Sequence, residues 1–195
     1  GAKNKMWGGS GHDYMKGTGA YNYTSGGDHN DRIYGYGAHN DMYGGSGNDY
    51  LEGWGAVNNT RGGSGNDTIK GRGALNNIYG ESGNDTIEAI GGVNNVHGGT
   101  GDDTYLFTFG ATGEMDVDEA GLDAARELGD FVGIASDKLD AVSGGGGGSD
   151  VLELRNAGEM DASCLRFFVE GGKDLVIEGD GGSVRIKNMH EDATR

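Results

Sequence analysis

Inward-facing positions recur at every ninth residue over the first 105 residues of the chain. The side chains at these positions are Met6, Met15, Thr24, Ile33, Met42, Leu51, Thr60, Ile69, Ile78, Ile87, Val96 and Tyr105. Ten of the twelve are apolar or aromatic, and the residues between them are mostly small or polar. The pattern predicts short strands whose inward side chains form two facing rows, with a thin core between two parallel sheets.

The repeating unit is 18 residues long and consists of two nine-residue phrases. The first kind of phrase starts at Gly8, Gly26, Gly44, Gly62, Gly80 and Gly98, and the second kind starts at Gly17, Gly35, Gly53, Gly71 and Ala89. Each phrase reads as a glycine-rich turn of six residues and a strand of three, with glycines supplying positive φ angles. Successive coils are then about 4.8 Å apart. The first seven residues fit the end of the second phrase, so we expect the chain to begin inside a repeat of a longer protein.

The sixth position of each phrase separates the two edges of the predicted stack. On one edge it holds Asp13, Asp31, Asp49, Asp67, Asp85 and Asp103, and on the other Asn4, Asn22, Asn40, Asn58, Asn76 and Asn94. Two carboxylates about 5 Å apart repel each other by roughly 3 kcal/mol at an effective dielectric constant near 20. The aspartate column therefore predicts a hard cation such as Ca²⁺ between successive turns. The neutral asparagine column needs no metal and predicts a ladder of side-chain hydrogen bonds.

The phrases GGSGHDYMK, GGSGNDYLE, GGSGNDTIK and GESGNDTIE resemble the calcium-binding nonapeptide of the RTX (hemolysin-type) family. The resemblance covers residues 1–108. It implies an all-β fold, a right-handed parallel β-roll with calcium held between adjacent turns. It also implies a type I-secreted bacterial protein, as in toxins of this family.

The resemblance also implies about five Ca²⁺ ions between six turns. The asparagine column restricts them to the aspartate edge, which departs from RTX rolls that bind calcium on both edges. Carbonyls at positions 1 and 3 of one turn and 2 and 4 of the next would join the aspartates. The carbonyl residues are Gly8, Ser10, Gly26, Gly27, Asp28, Gly44, Gly45, Ser46, Gly47, Gly62, Gly63, Ser64, Gly65, Gly80, Glu81, Ser82, Gly83, Gly99 and Gly101. His29 replaces a glycine at position 4 and is expected to strain its turn. Glu81 replaces one at position 2, and little loss is expected because its carbonyl remains.

The composition agrees with a repeat that is stabilised by bound metal ions. The 195 residues include 43 glycines, no proline and one cysteine, and the formal net charge is −16. This charge makes nucleic acid and other polyanions poor partners. No apolar run is long enough to span a membrane. The single Cys164 cannot form an internal disulfide, and its position favours a small buried side chain.

The repeat ends after Thr104, and residues 109–195 are expected to form a capping segment. Short β-rich runs occupy 150–155, 164–170, 174–178 and 183–187. Residues 119–129 read as a short helix, and the glycine run at 144–149 reads as a linker, so an insertion is expected near 119–149. "KDLVIEGDGGSVRIKN" resembles the segment that flanks RTX arrays. Asp116 or Glu114 is a candidate for completing a terminal calcium site.

No catalytic motif is found, and the five histidines form no convergent pair. Outward aromatics Trp7, Tyr43 and Tyr79 are candidates for stacking on sugar rings, although ordinary cross-strand packing is the favoured explanation. Glu52, Lys70 and Glu88 are expected to form an ion-pair ladder. Regular serine and asparagine rows on the aspartate edge weakly resemble ice-binding calcium-dependent repeats. Val57, Leu75 and Val93 are candidates for packing against the cap or a partner.

The sequence therefore predicts a non-catalytic calcium-binding RTX module, secreted as part of a larger extracellular protein. Calcium would drive its folding after export. The alternative is an adhesive module that binds a polysaccharide or a cell-surface partner, or less readily ice, with calcium shaping the surface.

Overall fold

A computed structural model describes residues 2–109, 114–118, 139–142, 150–156, 166–170, 174–179 and 182–187. These residues form fifteen β-strands in one connected sheet system and contain no helix. Accordingly, none of the described elements is a helix that could cross a membrane. The predicted helix at 119–129 and linker at 144–149 lie outside the described residues.

The repeat region is a parallel β-solenoid of about six turns. Its strands are β1 (Lys3–Ser10), β2 (Tyr14–Gly17), β3 (Tyr21–Asp28), β4 (Arg32–Tyr36), β5 (His39–Ser46), β6 (Tyr50–Ser64), β7 (Thr68–Ser82), β8 (Thr86–Thr100) and β9 (Thr104–Phe109). Each residue pairs with the residue 18 positions later, as Asn58 does with Asn76. The sequence period therefore sets the register directly, and like residues stack on like.

The two edges of the solenoid turn differently, which the sequence did not predict. Glycines with positive φ occur at positions 2 and 4 of the aspartate-edge turns, for example Gly63 (120°) and Gly65 (117°). On the asparagine edge only Gly91 has a positive φ among the described glycines. There, strands β6, β7 and β8 run for 15 residues through the bend without interruption. The prediction of a six-residue turn and a three-residue strand is therefore wrong for the asparagine edge of these three strands, because ladder pairing continues through the bend.

The core is the predicted column of inward side chains. All of them from Met15 to Tyr105 are buried, and only Met6 in the first coil is half-buried. Two members of the column, Thr24 and Thr60, are polar, and both are fully buried. Their hydroxyl groups have no hydrogen-bond partner. The core is thus a thin layer formed by two facing rows of side chains, as the nine-residue period predicts.

The described part of the cap continues both sheets of the solenoid. Its strands are β10 (Glu114–Asp118), β11 (Leu139–Val142), β12 (Asp150–Asn156), β13 (Arg166–Glu170), β14 (Asp174–Gly179) and β15 (Gly182–Lys187). Strand β10 pairs in parallel with β8, and β12 pairs in parallel with β9. Strands β13, β14 and β15 form an antiparallel meander beyond β10. The four predicted β-rich runs coincide with β12 to β15. In the described part of the chain, β10 covers the edge of β8 and β12 covers the edge of β9.

Candidate metal centre

The aspartate column is buried along one edge of the roll. Asp31, Asp49, Asp67, Asp85 and Asp103 are at most 3% exposed. Left-handed glycines turn the chain sharply before each of them, so the side chain points into the turn rather than into solvent. Burial of five carboxyl groups in one column is costly unless each has a compensating partner.

Each carboxylate uses one oxygen to hold the turn before it. The backbone N–H of Asp67 donates to Oδ1 of Asp85 at 2.8 Å. The same bond joins every pair of successive column members from Asp13 to Asp103, at 2.7–2.8 Å. The side chain at position 5 makes the reciprocal bond, because the N–H of Asn66 donates to Oδ1 of Asn48 at 2.8 Å. Successive turns are therefore linked in both directions.

The second carboxylate oxygen is left without a partner. Oδ2 is buried and accepts no hydrogen bond in Asp13, Asp31, Asp49, Asp67 and Asp85. An unpaired buried oxygen of this kind is rare in proteins and points to a missing ion or water. The unpartnered oxygen recurs at the same place in five consecutive turns, so it is a regular feature of the column.

A backbone carbonyl lies beside each of these oxygens. A methyl group placed on Gly62 would collide with Oδ2 of Asp67 and would approach the carbonyl oxygen of Gly80 to 2.8 Å. The equivalent contacts recur at Gly8, Gly26, Gly44 and Gly80. The glycine at position 1 therefore keeps open a space on which a carboxylate oxygen and a carbonyl oxygen of the following turn converge. Oxygen donors of this kind suit Ca²⁺, so the residues present fit the metal.

Other carbonyls also face the gap between turns. Those at position 2 face the following turn, since an added methyl group on Gly63 would strike the carbonyl of Gly45. Those at position 3 face the preceding turn, since the carbonyl of Ser64 accepts from the N–H of Gly47 at 2.8 Å. This arrangement adds Gly9 to the first gap, where an added methyl group on Gly27 would meet its carbonyl. The complete ligand set given above stays a prediction.

Electrostatics reinforces the need for a partner. Burial raises the pKa of Asp49 to about 6 and the pKa values of Asp67 and Asp85 to about 7, and repulsion from neighbouring carboxylates adds to the effect. Burial likewise raises the pKa values of Asp31 and Asp103. Hydrogen bonds from backbone N–H groups oppose the rise without cancelling it. Near neutral pH the metal-free column is therefore drawn toward binding protons or cations.

Among the described residues, no group of three or more His, Cys, Asp or Glu side chains could hold a metal by itself. A cation in the aspartate column would depend on backbone carbonyls as well as on carboxylates. Beyond Asp103, the last member of the column, the hydroxyl of Tyr105 accepts a hydrogen bond from the N–H of Gly98 at 2.8 Å. An added methyl group on Gly98 would meet this hydroxyl where, in other turns, it would meet the next carbonyl. Sequence reasoning missed this role, because Tyr105 occupies an ordinary inward position.

Two turns contain a residue other than glycine in the left-handed region. His29 has φ of 77°, as its position predicted, and Glu81 has φ of 81°. The prediction for Glu81 rests on its carbonyl alone and does not include this backbone strain. Its side chain reaches back to Arg61 at 3.2 Å in an exposed ion pair. Such strain typically costs about 1–3 kcal/mol per residue.

The asparagine column forms the predicted ladder. Nδ2 of each asparagine donates to Oδ1 of the next, from Asn4 to Asn94, at 2.7–2.8 Å. A second ladder, not predicted, runs the opposite way at position 7, where Asn77 donates to Asn59 and Asn59 donates to Asp41 at 2.8 Å. This edge satisfies its side chains internally and has no orphaned oxygens comparable to those of Asp67.

The predicted surface features are distributed over two faces. Trp7, Tyr43 and Tyr79 share one outward row but are separated by Ser25 and Arg61. They pack on other neighbours, such as Tyr23 for Trp7 and Tyr43, at ring distances of 5.9 and 5.5 Å.

The opposite face carries the predicted ion-pair ladder in modified form. Lys70 pairs with Glu88 at 3.3 Å, whereas Glu52 pairs with Arg72 at 3.5 Å. Arg72 also reaches Glu88 at 3.6 Å and so joins the two acidic residues. Five further aromatic side chains lie on this face: Tyr14, Tyr34, Tyr36, Tyr50 and Trp54.

Comparison with known families supports the interpretation of the aspartate turns. Residues 22–51 and 55–87 match the family model of the RTX calcium-binding nonapeptide repeat, in four copies. No curated protein and no solved structure matches the chain. The matched residues span the turns that contain Asp31, Asp49, Asp67 and Asp85.

Proposed function

We propose that this chain, whose repeats are RTX calcium-binding nonapeptides, is a calcium-folded module of a larger extracellular protein. The observation that carries the proposal is the row of buried, unpartnered Oδ2 atoms, each beside a backbone carbonyl of the next turn. Bound Ca²⁺ would supply the positive charge and the coordination that these oxygens lack. The chain's own part is to hold the carboxylates through N–H donors and to keep the space open with glycines.

Calcium binding and folding are coupled in this proposal because the aspartate column exists only in the folded stack. A cation that binds the stack and not the unfolded chain stabilises the stack by mass action. Six turns enclose five gaps, so about five ions are expected. Five divalent ions would change the formal charge of the chain from −16 to −6.

The extracellular setting follows from the calcium concentration that such a switch requires. Extracellular calcium modules bind with dissociation constants of about 10⁻⁴–10⁻³ M, far above cytosolic calcium levels. A chain without proline and with one cysteine has no slow prolyl isomerisation or internal disulfide to form after export. We therefore expect export in the unfolded state through a type I system, followed by folding outside. We expect no catalytic activity in this part of the parent protein.

The test is a calcium titration followed by far-UV circular dichroism, with Mg²⁺ as a control ion. We expect a cooperative coil-to-β transition with Ca²⁺ that shifts to higher concentration in Asp67→Asn. The matched variant is Asp41→Asn, which removes the same charge on the other edge and keeps the Oδ1 that accepts from Asn59. A β signal already complete in chelator would refute calcium-driven folding. Equal shifts in both variants would refute a calcium site in the aspartate column.

A second candidate is polysaccharide or cell-surface adhesion, and exposed aromatic side chains favour it. Trp7 is 65% exposed, Tyr14 67% and Trp54 44%. Contiguous exposed apolar patches mark interaction sites. The ring of Tyr23 joins those of Trp7 and Tyr43, at 5.9 and 5.5 Å, into such a row. Binding to neutral glycans that is lost on substitution of Trp7, Tyr43 and Tyr79 would support this candidate in the form predicted from the sequence.

A further inference from the structure

Charge is segregated within the repeat region. Residues 1–109 contain seven Lys and Arg against twelve Asp and Glu, a formal charge of −5. Nine of the twelve acidic residues lie in the aspartate-edge turns, whereas all seven basic residues lie in strands outside those turns. Outside these turns seven basic residues therefore face three acidic ones, so the sheet faces are basic although the chain as a whole is acidic.

Calcium would reverse the sign of this region, and this step rests on the proposed function. Three divalent ions would already bring the formal charge of residues 1–109 to +1, and five would bring it to +5. The added charge enters along the aspartate edge, where it cancels the field that would repel an anion from the neighbouring faces. Loading thus converts an acidic segment into one that attracts anions.

One face of the first three coils combines cations with exposed rings. This aromatic–basic patch consists of Tyr14, Lys16, Arg32, Tyr34, Tyr36 and Trp54. The rings of Tyr14 and Tyr34 are 5.5 Å apart, and those of Tyr34 and Tyr36 are stacked 6.4 Å apart with an interplanar angle of 5°. The aromatic row is therefore continuous across successive coils.

Cations and rings are interleaved in the register of the sheet. Arg32 pairs in register with Tyr14, and Lys16 pairs with Tyr34. Nζ of Lys16 lies 5.0 Å from the ring centre of Tyr36. Within the described coils neither Lys16 nor Arg32 forms an ion pair with an acidic residue. These two cations are therefore available to an external anion.

Glu52 is the one acidic residue on this face of the first three coils, and its charge is already engaged. Its carboxylate accepts from Tyr50 Oη at 2.9 Å and from Trp54 Nε1 at 2.8 Å, and it pairs with Arg72. It thereby fixes the edge of the Trp54 indole while the ring remains 44% exposed. Glu52 orients the patch and does not neutralise Lys16 or Arg32.

We propose that the calcium-loaded form binds an anionic polysaccharide, sulfated or uronate-bearing, along the aromatic–basic patch. The C–H faces of sugar rings pack on exposed aromatic rings, and their anionic groups pair with cations between those rings. A parallel sheet face with in-register steps of about 4.8 Å suits an extended polymer rather than a small ligand. Outside the cell, where calcium loads the roll, polysaccharides are the polyanions such a face meets.

The test measures binding of the full chain to immobilised dextran sulfate and to neutral dextran, in millimolar Ca²⁺ and in chelator, with circular dichroism in parallel. We expect binding to dextran sulfate alone, only with Ca²⁺, and weakened by added salt. Lys16→Gln/Arg32→Gln should weaken it roughly tenfold or more, since each cation near an anionic surface contributes appreciably. Lys3→Gln/Lys5→Gln, which removes the same charge elsewhere, should have a much smaller effect.

The outcomes separate the two proposals. A chain that folds with Ca²⁺ but ignores dextran sulfate would overturn the patch and leave calcium-driven folding intact. Equal losses in the two double variants, or equal binding to single-stranded DNA, would also overturn a polysaccharide site at this patch. Absence of calcium-induced β structure would refute the proposed function itself, whatever the binding shows.

Discussion

The backbone N–H of Asp67 donates a hydrogen bond to Oδ1 of Asp85, 18 residues further along the chain, at 2.8 Å. Each turn thus fixes the carboxylate of the turn that follows. The Oδ2 atom of Asp85 remains buried beside a glycine with no partner. One carboxylate therefore serves the backbone of its neighbour with one oxygen and leaves the other for a cation.

The raised pKa values in the column predict that acid substitutes for calcium. In chelator, folded Asp67 and Asp85, with pKa values near 7, keep protons that unfolded carboxyls lose near pH 4. The stability from this protonation is fully present below about pH 4 and is lost as the pH rises through about 7. We expect the calcium-free β signal to grow as the pH is lowered from 8 to 5. Circular dichroism in chelator measures it, and a signal that stays flat or falls would contradict the burial of these groups.

The asparagine ladder predicts a strong effect of one charge. Asn58 is fully buried, accepts from Asn40 and donates to Asn76. Asn58→Asp replaces the donor by an oxygen and sets it against Oδ1 of Asn76, so a loss of about 3 kcal/mol in the free energy of unfolding is expected. Chemical denaturation in saturating calcium measures the loss.

The control for this substitution is Asn48→Asp on the exposed side of the other edge. Its Oδ1, which accepts from the N–H of Asn66, is retained in aspartate. We expect a change within about 0.5 kcal/mol. Similar losses in the two variants would mean that the ladder contributes little beyond general surface charge.

The two threonines of the core predict stabilising substitutions. Thr24 and Thr60 are fully buried, and their hydroxyl groups have no partner. Valine has nearly the same shape without the hydroxyl, so Thr60→Val should raise the free energy of unfolding by about 1–2 kcal/mol. Thr68→Val, at a half-buried outward position, is the control and should change it little. Denaturation midpoints that fall in Thr60→Val would show that the hydroxyl is satisfied by a water.

The strained turn at Glu81 predicts a second stabilising change. Glu81→Gly removes a left-handed residue with φ of 81° and loses only an exposed ion pair with Arg61. The relief of strain, about 1 kcal/mol or more, exceeds the contribution of a typical surface pair. Thermal unfolding with calcium should show a higher midpoint. Gly63→Ala is the converse test, because its new methyl group would strike the carbonyl of Gly45; a midpoint unchanged in both variants would contradict the strain.

Much of the fold follows from the 18-residue period alone. The inward column, the register and the Asn58 ladder are all consequences of stacking like on like, and the structure confirms them. The aspartate edge could be distinguished from the asparagine edge because carboxylates repel in a column and amides do not. Four cap strands were also found from local β-rich runs.

Other features could not be read from the period. Strand β6 continues through the asparagine edge because its bend uses ordinary φ angles, and a glycine count does not reveal the φ of each glycine. The aromatic–basic patch depends on diagonal neighbours such as Tyr14 and Tyr34, which only the register places side by side. The pairing of β10 with β8 joins segments whose contact depends on the path of the cap.

The near-identity of successive coils also makes the stacking register of each coil ambiguous. A coil that docked one turn out of place would meet almost the same glycines, aspartates and asparagines, so slipped stacks lie close to the native one in energy. The irregular residues break this degeneracy. Thr24 and Thr60 place smaller side chains on either side of Met42, and the hydroxyl of Tyr105 reaches Gly98 in the last turn. The departures from the repeat therefore specify the register in which each coil stacks.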